Sequence, residues 1–582
     1  MEPLIVSILN PVNESKVVEI REYRMILKIR VFAIIFVVWG VLPFPAFAQT
    51  ADIAFVNGKV LTVDTNFSVQ QAVAVQGERI LSVGGSSQIK QLIDSRTKVI
   101  DLKGKTIIPG LIDNHVHFIR HALRWDHEAR IDGVTSRQKA LAVIAAKAKS
   151  LKRGEWVLII GGWSPGQFRD KPGLFTKAEL DRAAPHNPVF IQQSYRFMIL
   201  NSLALKRAGI DENFDAPRGW RIARNESGAP TGVIRGRRAI FRFWRRELPK
   251  VTDEKIISGL KKLMADFNRA GVTSLLELGG GGVRDETYEM IKRRLADKNG
   301  LSLRIFHTPR FRVRTPEANK RVIERVRNSR PDKSAKMMGH IALGEHMYAP
   351  LHDSAFRPSR FPDEDYAEFA KVSQAAADGG WTIHEHAFRN ATITRYLDIF
   401  EKINQKKNIT NLRWSIHHAD FITKRNIERA KALGMTFALH SKMTILGSAL
   451  RRRYGERALS LPPLRTVQNS GAIWGLGTDA GVVAPYPPML SLWWAVTGMD
   501  LGGERALSKT ETVSRKNALI AHTRSNAYLL FKENELGSIE KGRLADLVVL
   551  DSDYMTIPAD RIKDIKPLLT MVGGRVVFRS EI

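Results

Sequence analysis

The sequence predicts an α/β fold: a TIM-like (β/α)8 barrel with a large insertion after its first strand, and a small discontinuous β-sandwich domain built from both termini. Three observations predict it. Eight apolar, strand-like runs alternate with helix-like stretches between residues 106 and 479, which is the pattern of parallel βα units, and eight such units make a barrel. The gap from His117 to Gly271 is too long for one crossover and must hold an insertion of about 120–265. Short β segments with Gly turns stand at both ends of the chain.

The elements follow in order. Residues 1–48 read as an N-terminal extension and signal peptide, with the signal at about 25–48. Arg24 to Arg30 is basic, Val31 to Leu42 is an apolar run, and Ala46-Phe47-Ala48 closes it as a cleavage site. The expected mature chain starts near Gln49 and is exported, to the periplasm. The run is shorter than the about 20 residues a membrane helix needs, and no other segment is long enough. No stable membrane span is therefore expected after cleavage.

Residues 49–108 form the first part of the sandwich. Ile53 to Val63 is a strand with a turn at Asn57-Gly58, and Ala72 to Val83 is a hairpin around Gly77-Glu78. Residues 109–534 form the barrel domain. The strand-like runs are Thr106–His117, Gly271–Leu278, Leu303–Thr308, Lys336–Glu345, Trp381–His386, Arg413–His418, Met435–His440 and Ala472–Asp479. Asp363–Asp378, Ala391–Ile403 and Lys424–Leu433 are among the helices between them. Residues 535–582 complete the sandwich, with a strand at Ala545 to Asp551 and a hairpin at Met571 to Phe578.

Composition narrows the chemistry. The chain has 582 residues and 44% hydrophobic content, ordinary for a globular protein. With no cysteine, disulfide frameworks, thiolate zinc sites, Fe–S clusters and cysteine nucleophiles are excluded. Lys plus Arg is 90 and Asp plus Glu is 59, a net charge of +31. Such a balance suits anionic partners. Yet no Walker A loop, zinc-finger spacing or RNA-binding aromatic signature is present, so no nucleic acid is expected. The densest cluster is Arg235, Arg237, Arg238, Arg242, Arg245 and Arg246 with Phe241, Phe243 and Trp244 between. It reads as a basic amphipathic helix whose aromatics face the core.

The chemistry-bearing residues stand at strand ends. His115 and His117 are two apart, so in a strand they share a face. His386 ends the fifth strand, His418 the sixth, and Asp479 the eighth. Barrel active sites lie at the C-terminal ends of strands, and four imidazoles with a carboxylate suit Zn²⁺ or a similar divalent ion, one or two per chain. His384 shares a strand face with His386 and is the alternative there. His417 points away from His418 and reads as a packing residue. His340 and His346 read as structural, and His121 and His127 as surface or lid residues. Trp163, His440 and Arg196 are the substrate-binding candidates, and Arg235 could join Arg196 in meeting a carboxylate.

These residues carry a resemblance. Pro109-Gly110-Leu111-Ile112-Asp113-Asn114-His115-Val116-His117, Gly161-Gly162-Trp163, Leu200 to Leu205, Thr231-Gly232-Val233-Ile234, Gly271-Val272-Thr273-Ser274, Gly477-Thr478-Asp479 and Gly537 to Leu547 resemble the amidohydrolase superfamily, in the branch of the N-substituted formamide deformylases. The resemblance spans about residues 52 to 578. It implies that His115, His117, His386 and His418 bind metal and that Asp479 is both ligand and general base. It also implies a ligand on the fourth strand, often a carboxylated lysine between two metals. Glu345 at the strand's end and Lys336 at its start are the choices, with Glu345 preferred because ligands belong at the C-terminal end. The substrate shell departs from the branch: His386-Ala387-Phe388-Arg389-Asn390 replaces a His-Ala-x-Gly-Asp pattern, and His417-His418 replaces Glu-His.

The expected activity is that of a metal-dependent amidohydrolase acting on the C–N bonds of small non-peptide amides, formamides or cyclic amides. The metal acidifies water, and Asp479, with His418 beside it, takes the proton and returns it to the leaving nitrogen. The alternatives are an esterase or lactonase with the same metal site, and a non-catalytic basic binding protein. The partner expected is a small-molecule substrate, with a homo-oligomer left open.

Overall fold

The first predicted run is two strands. Thr106–Pro109 pairs antiparallel with Leu547–Leu550, while Leu111–Val116 pairs in parallel with Val272–Glu277. The break falls at Gly110, where any Cβ would lie 2.1 Å from Thr273 Oγ1. Only glycine lets the chain leave one sheet and enter the other against that neighbour.

The computed structural model describes residues 50–279, 283–309, 311 and 313–581. The predicted signal segment, 25–48, lies outside them. Ala51–Ile582 form one compact unit.

Eight parallel strands make the TIM-like barrel. The first is Leu111–Val116, followed by Val272–Glu277, Arg304–His307, the split fourth strand Met338–His340 and Ala342–Glu345, Thr382–Ala387, Ser415–His418, Thr436–His440 and Trp474–Gly477. Each pairs with the next. The fourth is the corner: Met338 pairs with Ile305 on one side and Ala342 with Thr382 on the other. The last returns toward the first. The Asp479 amide donates to His115 O at 2.8 Å, and the His117 amide donates to Ala480 O at 3.0 Å.

The strands are buried on both faces, as parallel strands must be, and helices cover them outside. Asp363–Asp378 and Asn390–Lys406 bury Phe369, Tyr396 and Phe400 against Trp381, Trp414 and Ile383. Three acidic residues in the first turn of Asp363–Asp378 oppose the positive end of its dipole. Asp253–Arg269, capped by Thr252, packs Leu260, Leu263 and Phe267 on the second strand.

Strands from the two chain ends interleave. One sheet runs Arg575–Arg579, Pro567–Val572, Leu547–Leu550, Thr106–Pro109, Lys59–Leu61, Val69–Gln70, and a second runs Arg79–Gly84, Ala72–Gln76, Ile53–Val56, Lys98–Asp101. Phe55, Val73, Ile100, Ile107, Leu547 and Val549 pack in one cluster drawn from both. A further five-stranded sheet lies between the first and second barrel strands, in the order Arg221–Arg224, Pro230–Arg235, Phe197–Leu200, Val189–Gln193, Val157–Ile160. Among the described residues no helix is long and apolar enough to cross a membrane.

Candidate metal centre

The ends of the first, fourth, fifth, sixth and eighth strands bring His115, His117, Glu345, His386, His418 and Asp479 together. His115 Nε2 lies 3.5 Å from both Glu345 Oε2 and Asp479 Oδ1, and His117 Nε2 lies 3.3 and 3.6 Å from the same two oxygens. Glu345 Oε1 turns the other way, to His386 Nδ1 at 3.2 Å and His346 Nε2 at 3.1 Å. His418 Nδ1 is 3.9 Å from Asp479 Oδ2 and 2.8 Å from His440 Nδ1. His115, Glu345, His386, His418, His440 and Asp479 are at least nine-tenths buried.

The chain fixes these side chains locally. Asp113, two residues before His115, accepts the His115 and Thr478 amides at 3.1 Å and the Thr478 hydroxyl at 2.5 Å. It ties the first strand to the eighth beside His115 and Asp479. Asn526, from the helix Arg524–Leu529, adds a second tie, donating to Ile112 O and Leu476 O and accepting from Asn114. On the second strand, Glu277 accepts the Ile119 amide at 3.0 Å and so caps the short helix Phe118–Ala122 that follows the His-x-His pair. His418 and Asp479 both carry left-handed backbone, φ 72° and 60°. Non-glycine residues pay about 1–3 kcal/mol for such strain and cluster at functional sites.

Hydrogen bonds set which imidazole nitrogens face inward. His117 Nδ1 donates to Gly279 O at 2.6 Å, which leaves the Nε2 lone pair toward Glu345 and Asp479. His386 Nε2 lies 3.2 Å from Asp353 Oδ1, which leaves Nδ1 toward Glu345. Burial holds His117, His418 and His440 well below the usual histidine range, so they are neutral. Burial opposes a proton on His386 too, but the Asp353 and Glu345 carboxylates outweigh it and push this residue up to about 10. Burial pushes the Asp479 carboxyl up to about 6.

The donor set fits a divalent ion. Two ligand atoms each about 2.1 Å from one ion, at a tetrahedral angle, stand about 3.4 Å apart. The five nitrogen–oxygen separations involving His115, His117 and His386 with Glu345 and Asp479 run from 3.2 to 3.6 Å. His115 Nε2 and His386 Nδ1 have no hydrogen-bond partner although they are buried, a state that normally requires an explanation. The neutral imidazoles of His117 and His418 and the carboxylates are ligands that Zn²⁺ and similar ions take, and His386 would join them on giving up its proton.

Some expected residues lie elsewhere. Trp163 is fully buried, donates to Gln192 O at 2.8 Å and packs against Phe168 and Phe175 in the interior of the inserted region; it does not line the cavity. A Gly-Gly-Trp motif does not tell which side of its own sheet the indole takes. Lys336 is exposed and precedes the fourth strand, at the end opposite Glu345. His384 Nδ1 meets His417 Nε2 at 2.8 Å, and His417 Nδ1 meets His115 Nδ1 at 2.6 Å, so both stand behind the cluster. His440 is buried behind His418 and does not line the cavity, whereas Arg196 does.

Sequence reasoning missed Asp353, Lys442 and Asp420. Asp353 lies in a loop after the fourth strand, where no periodicity marks it. Lys442 Nζ is 2.9 Å from Asp420 Oδ1 and 4.0 Å above the Phe388 ring. Both stand two residues beyond strand-end histidines, His440 and His418, a spacing that could have flagged them.

The centre opens into a cavity of about 890 Å³, lined by His117, Glu345, His386, His418 and Asp479 on one side. Tyr195, Arg196, Arg235 and Phe241 reach it from the inserted region. A cavity of this size holds a small molecule.

The chain is similar to known proteins. The profile of the Amidohydrolase family matches residues 98–578. The chain is 27% identical to N-substituted formamide deformylase of Arthrobacter pascens, over 92% of this chain and 99% of that one. It is 26% identical to Protein LONG AFTER FAR-RED 3 of Arabidopsis thaliana, over 92% and 93%. Its fold is like that of an uncharacterized metal-dependent hydrolase from Pyrococcus horikoshii OT3, with a TM-score of 0.61 and 20% identity over 87% of this chain and 99% of that one. With this family match over most of its length, the chain belongs to the Amidohydrolase family and is a hydrolase of carbon–nitrogen bonds other than peptide bonds.

Proposed function

We propose that this enzyme is exported and cleaves small amides, formamides or cyclic amides at a Zn²⁺ centre held by His115, His117, Glu345, His386, His418 and Asp479. The observation that carries the reading is the split orientation of Glu345. One oxygen faces His115 and His117 and the other faces His386, so Glu345 would offer both its oxygens to whatever ion or ions these histidines hold. A closed barrel underlies it, supported by the backbone bonds between Asp479, Ala480 and the first strand.

The bound ion supplies acidified water and a polarised carbonyl. The chain's own residues do the rest. Asp479, whose carboxyl burial pushes up to about 6, is the carboxylate of the centre that would accept a proton and return it to the leaving nitrogen. Asp353 orients His386, and Asp113 keeps His115 and Asp479 in fixed relation. The similarity to N-substituted formamide deformylase supports formamides within the substrate class, and the basic-apolar-AFA order of residues 25–48 supports export.

Elemental analysis of purified protein tests this. The wild type is expected to hold about one or two divalent ions per chain and to release amine from an amide panel faster than alcohol from matched esters. The His115→Ala/His117→Ala variant is expected to lose metal and turnover together. A wild type that takes up no metal on reconstitution overturns the proposal.

A further inference from the structure

Eight arginines line the cavity, and no hydrolysis of a neutral amide needs them. The lining carboxylates are Glu345, Asp353 and Asp479, and all three face histidines of the centre. Among the described residues, none of the eight arginines has a carboxylate oxygen within 4.0 Å. Among the described residues, the other buried arginines do have carboxylate partners: Arg137 has Glu179 and Arg304 has Asp546. The cavity is a place where cations are gathered without their partners.

The gathering is built by the fold. Arg196 follows the strand Val189–Gln193, and Arg235 ends Pro230–Arg235. The ladder pairs Phe197 with Arg235, and the Gly236 amide donates to Arg196 O at 3.1 Å, which places the two arginines side by side. Arg452 and Arg453 come from a different part of the chain, the helix Met443–Tyr454 after the seventh strand. Arg196 feels both sides. Burial, then repulsion from Arg235 and Arg452, hold its guanidinium below its usual range.

The side chains are also braced. Arg196 lies over the Phe356 ring at 5.6 Å, Arg235 over Phe197 at 5.6 Å, and Arg237 over Tyr195 at 5.3 Å. Stacking holds the guanidinium plane while leaving its N–H edge free. Deeper, Arg120 is only 8% exposed; its Nη1 donates to Tyr195 at 2.7 Å, while its Nε and Nη2 have no partner. A buried guanidinium with unused donors is costly, and an anion in the cavity would remove that cost.

We propose that the substrate is an amide carrying two or more negative charges, as carboxylates or phosphates, with those groups held by Arg196, Arg235 and Arg452 while its C–N bond lies at the metal centre. Guanidinium forks match carboxylate and phosphate oxygens bidentately. This rests on the amide-hydrolase reading above and adds the substrate's charge to it.

The test uses the metal-loaded full chain. N-formyl-L-glutamate is compared with its neutral bis(dimethylamide), and binding of glutarate and of pyrophosphate is measured by calorimetry without turnover. The dianion is expected to be preferred by about 100-fold in kcat/KM, with a preference that shrinks as salt is added. Glutarate or pyrophosphate should bind, and Arg196→Ala/Arg235→Ala and Arg452→Ala should each weaken that binding about tenfold or more. In turnover most of their loss should fall in KM rather than kcat, and Arg→Lys variants should recover part of it. Turnover of the neutral amide as fast as the dianion, with no anion bound, overturns this proposal alone. Anion binding lost in the variants, with no amide cleaved, upholds the arginine site and overturns the amide-hydrolase reading instead. Tight binding of heparin with no effect of the three arginines on glutarate also overturns it.

Discussion

Asp353 faces the far side of His386: its Oδ1 stands 3.2 Å from Nε2, while the carboxylate also accepts the Phe388 and Arg389 amides at 2.8 to 3.1 Å. The carboxylate is fixed by the backbone that follows the fifth strand, so the imidazole it meets has one orientation. A partner of this kind typically contributes 10- to 100-fold in metal affinity. Asp353→Ala is therefore expected to weaken metal binding about 10- to 100-fold, measured by competition with a chelator of known affinity, with His386 itself retained.

Gly344 immediately precedes Glu345 and has φ 128°. A Cβ there would lie 1.9 Å from His384 O, a backbone atom that cannot step aside. Gly344→Ala must move the fourth strand or the fifth, and Glu345 moves with it. Chemical denaturation should show a loss of about 1–3 kcal/mol or more from the backbone conformation alone. Metal content should fall in the same variant, because the separations of 3.2 to 3.5 Å from Glu345 to His386, His117 and His115 depend on that peptide.

Asp479 combines strained backbone with a carboxyl pushed up to about 6 by burial. Asp479→Asn keeps the shape and removes the proton acceptor. A positioned acid–base group contributes about 10²–10⁴-fold, so kcat for an amide substrate is expected to fall by that order. The comparison is made per bound metal, which separates loss of proton transfer from loss of the ion.

How much of this was legible depends on how local the signal is. The barrel strands are legible because apolar runs of strand length alternate with helical stretches, and His115, His117, His386, His418 and Asp479 because each stands at the end of such a run. Glu345 was reachable by the same reasoning about strand ends, and Lys336 fails it. The break at Gly110 was invisible because Ile107 to Ile112 is apolar throughout, whichever sheet it serves. Asp353 and Asn526 hold the site from a loop and from a helix some 400 residues beyond Asn114, where no spacing rule connects them. The helix Arg237–Arg246 shows both sides of the difficulty. Its Phe243 and Trp244 are buried, as amphipathic patterning predicts, but nothing in the pattern says that Arg237 and the preceding Arg235 face a cavity.

The inserted region carries its own acid-sensitive lock. Arg137 Nε and Nη2 reach the two Glu179 oxygens at 3.0 and 2.6 Å, and the guanidinium also donates to Gly173 O and Leu174 O. Both residues are more than nine-tenths buried. Glu179 simultaneously accepts the Thr176 amide at the start of the helix Lys177–Ala183. The Arg137 hydrogen bonds, working against burial, hold the Glu179 carboxyl down at about 2. Its folded value is thus below its unfolded value of about 4.5, so the stabilisation is fully present above that value and is lost as pH falls toward about 2. Removing one partner of a buried pair costs about 3–5 kcal/mol, and Glu179→Gln is expected to lose stability of that order at pH 7. The gap between wild type and variant should narrow steadily as unfolding is followed from pH 5 down to pH 3, since protonating Glu179 does to the wild type what the substitution does to the variant. A gap that stays constant across that range would mean that the ion pair contributes no pH-dependent stability and that Arg137 is held by Gly173 and Leu174 alone.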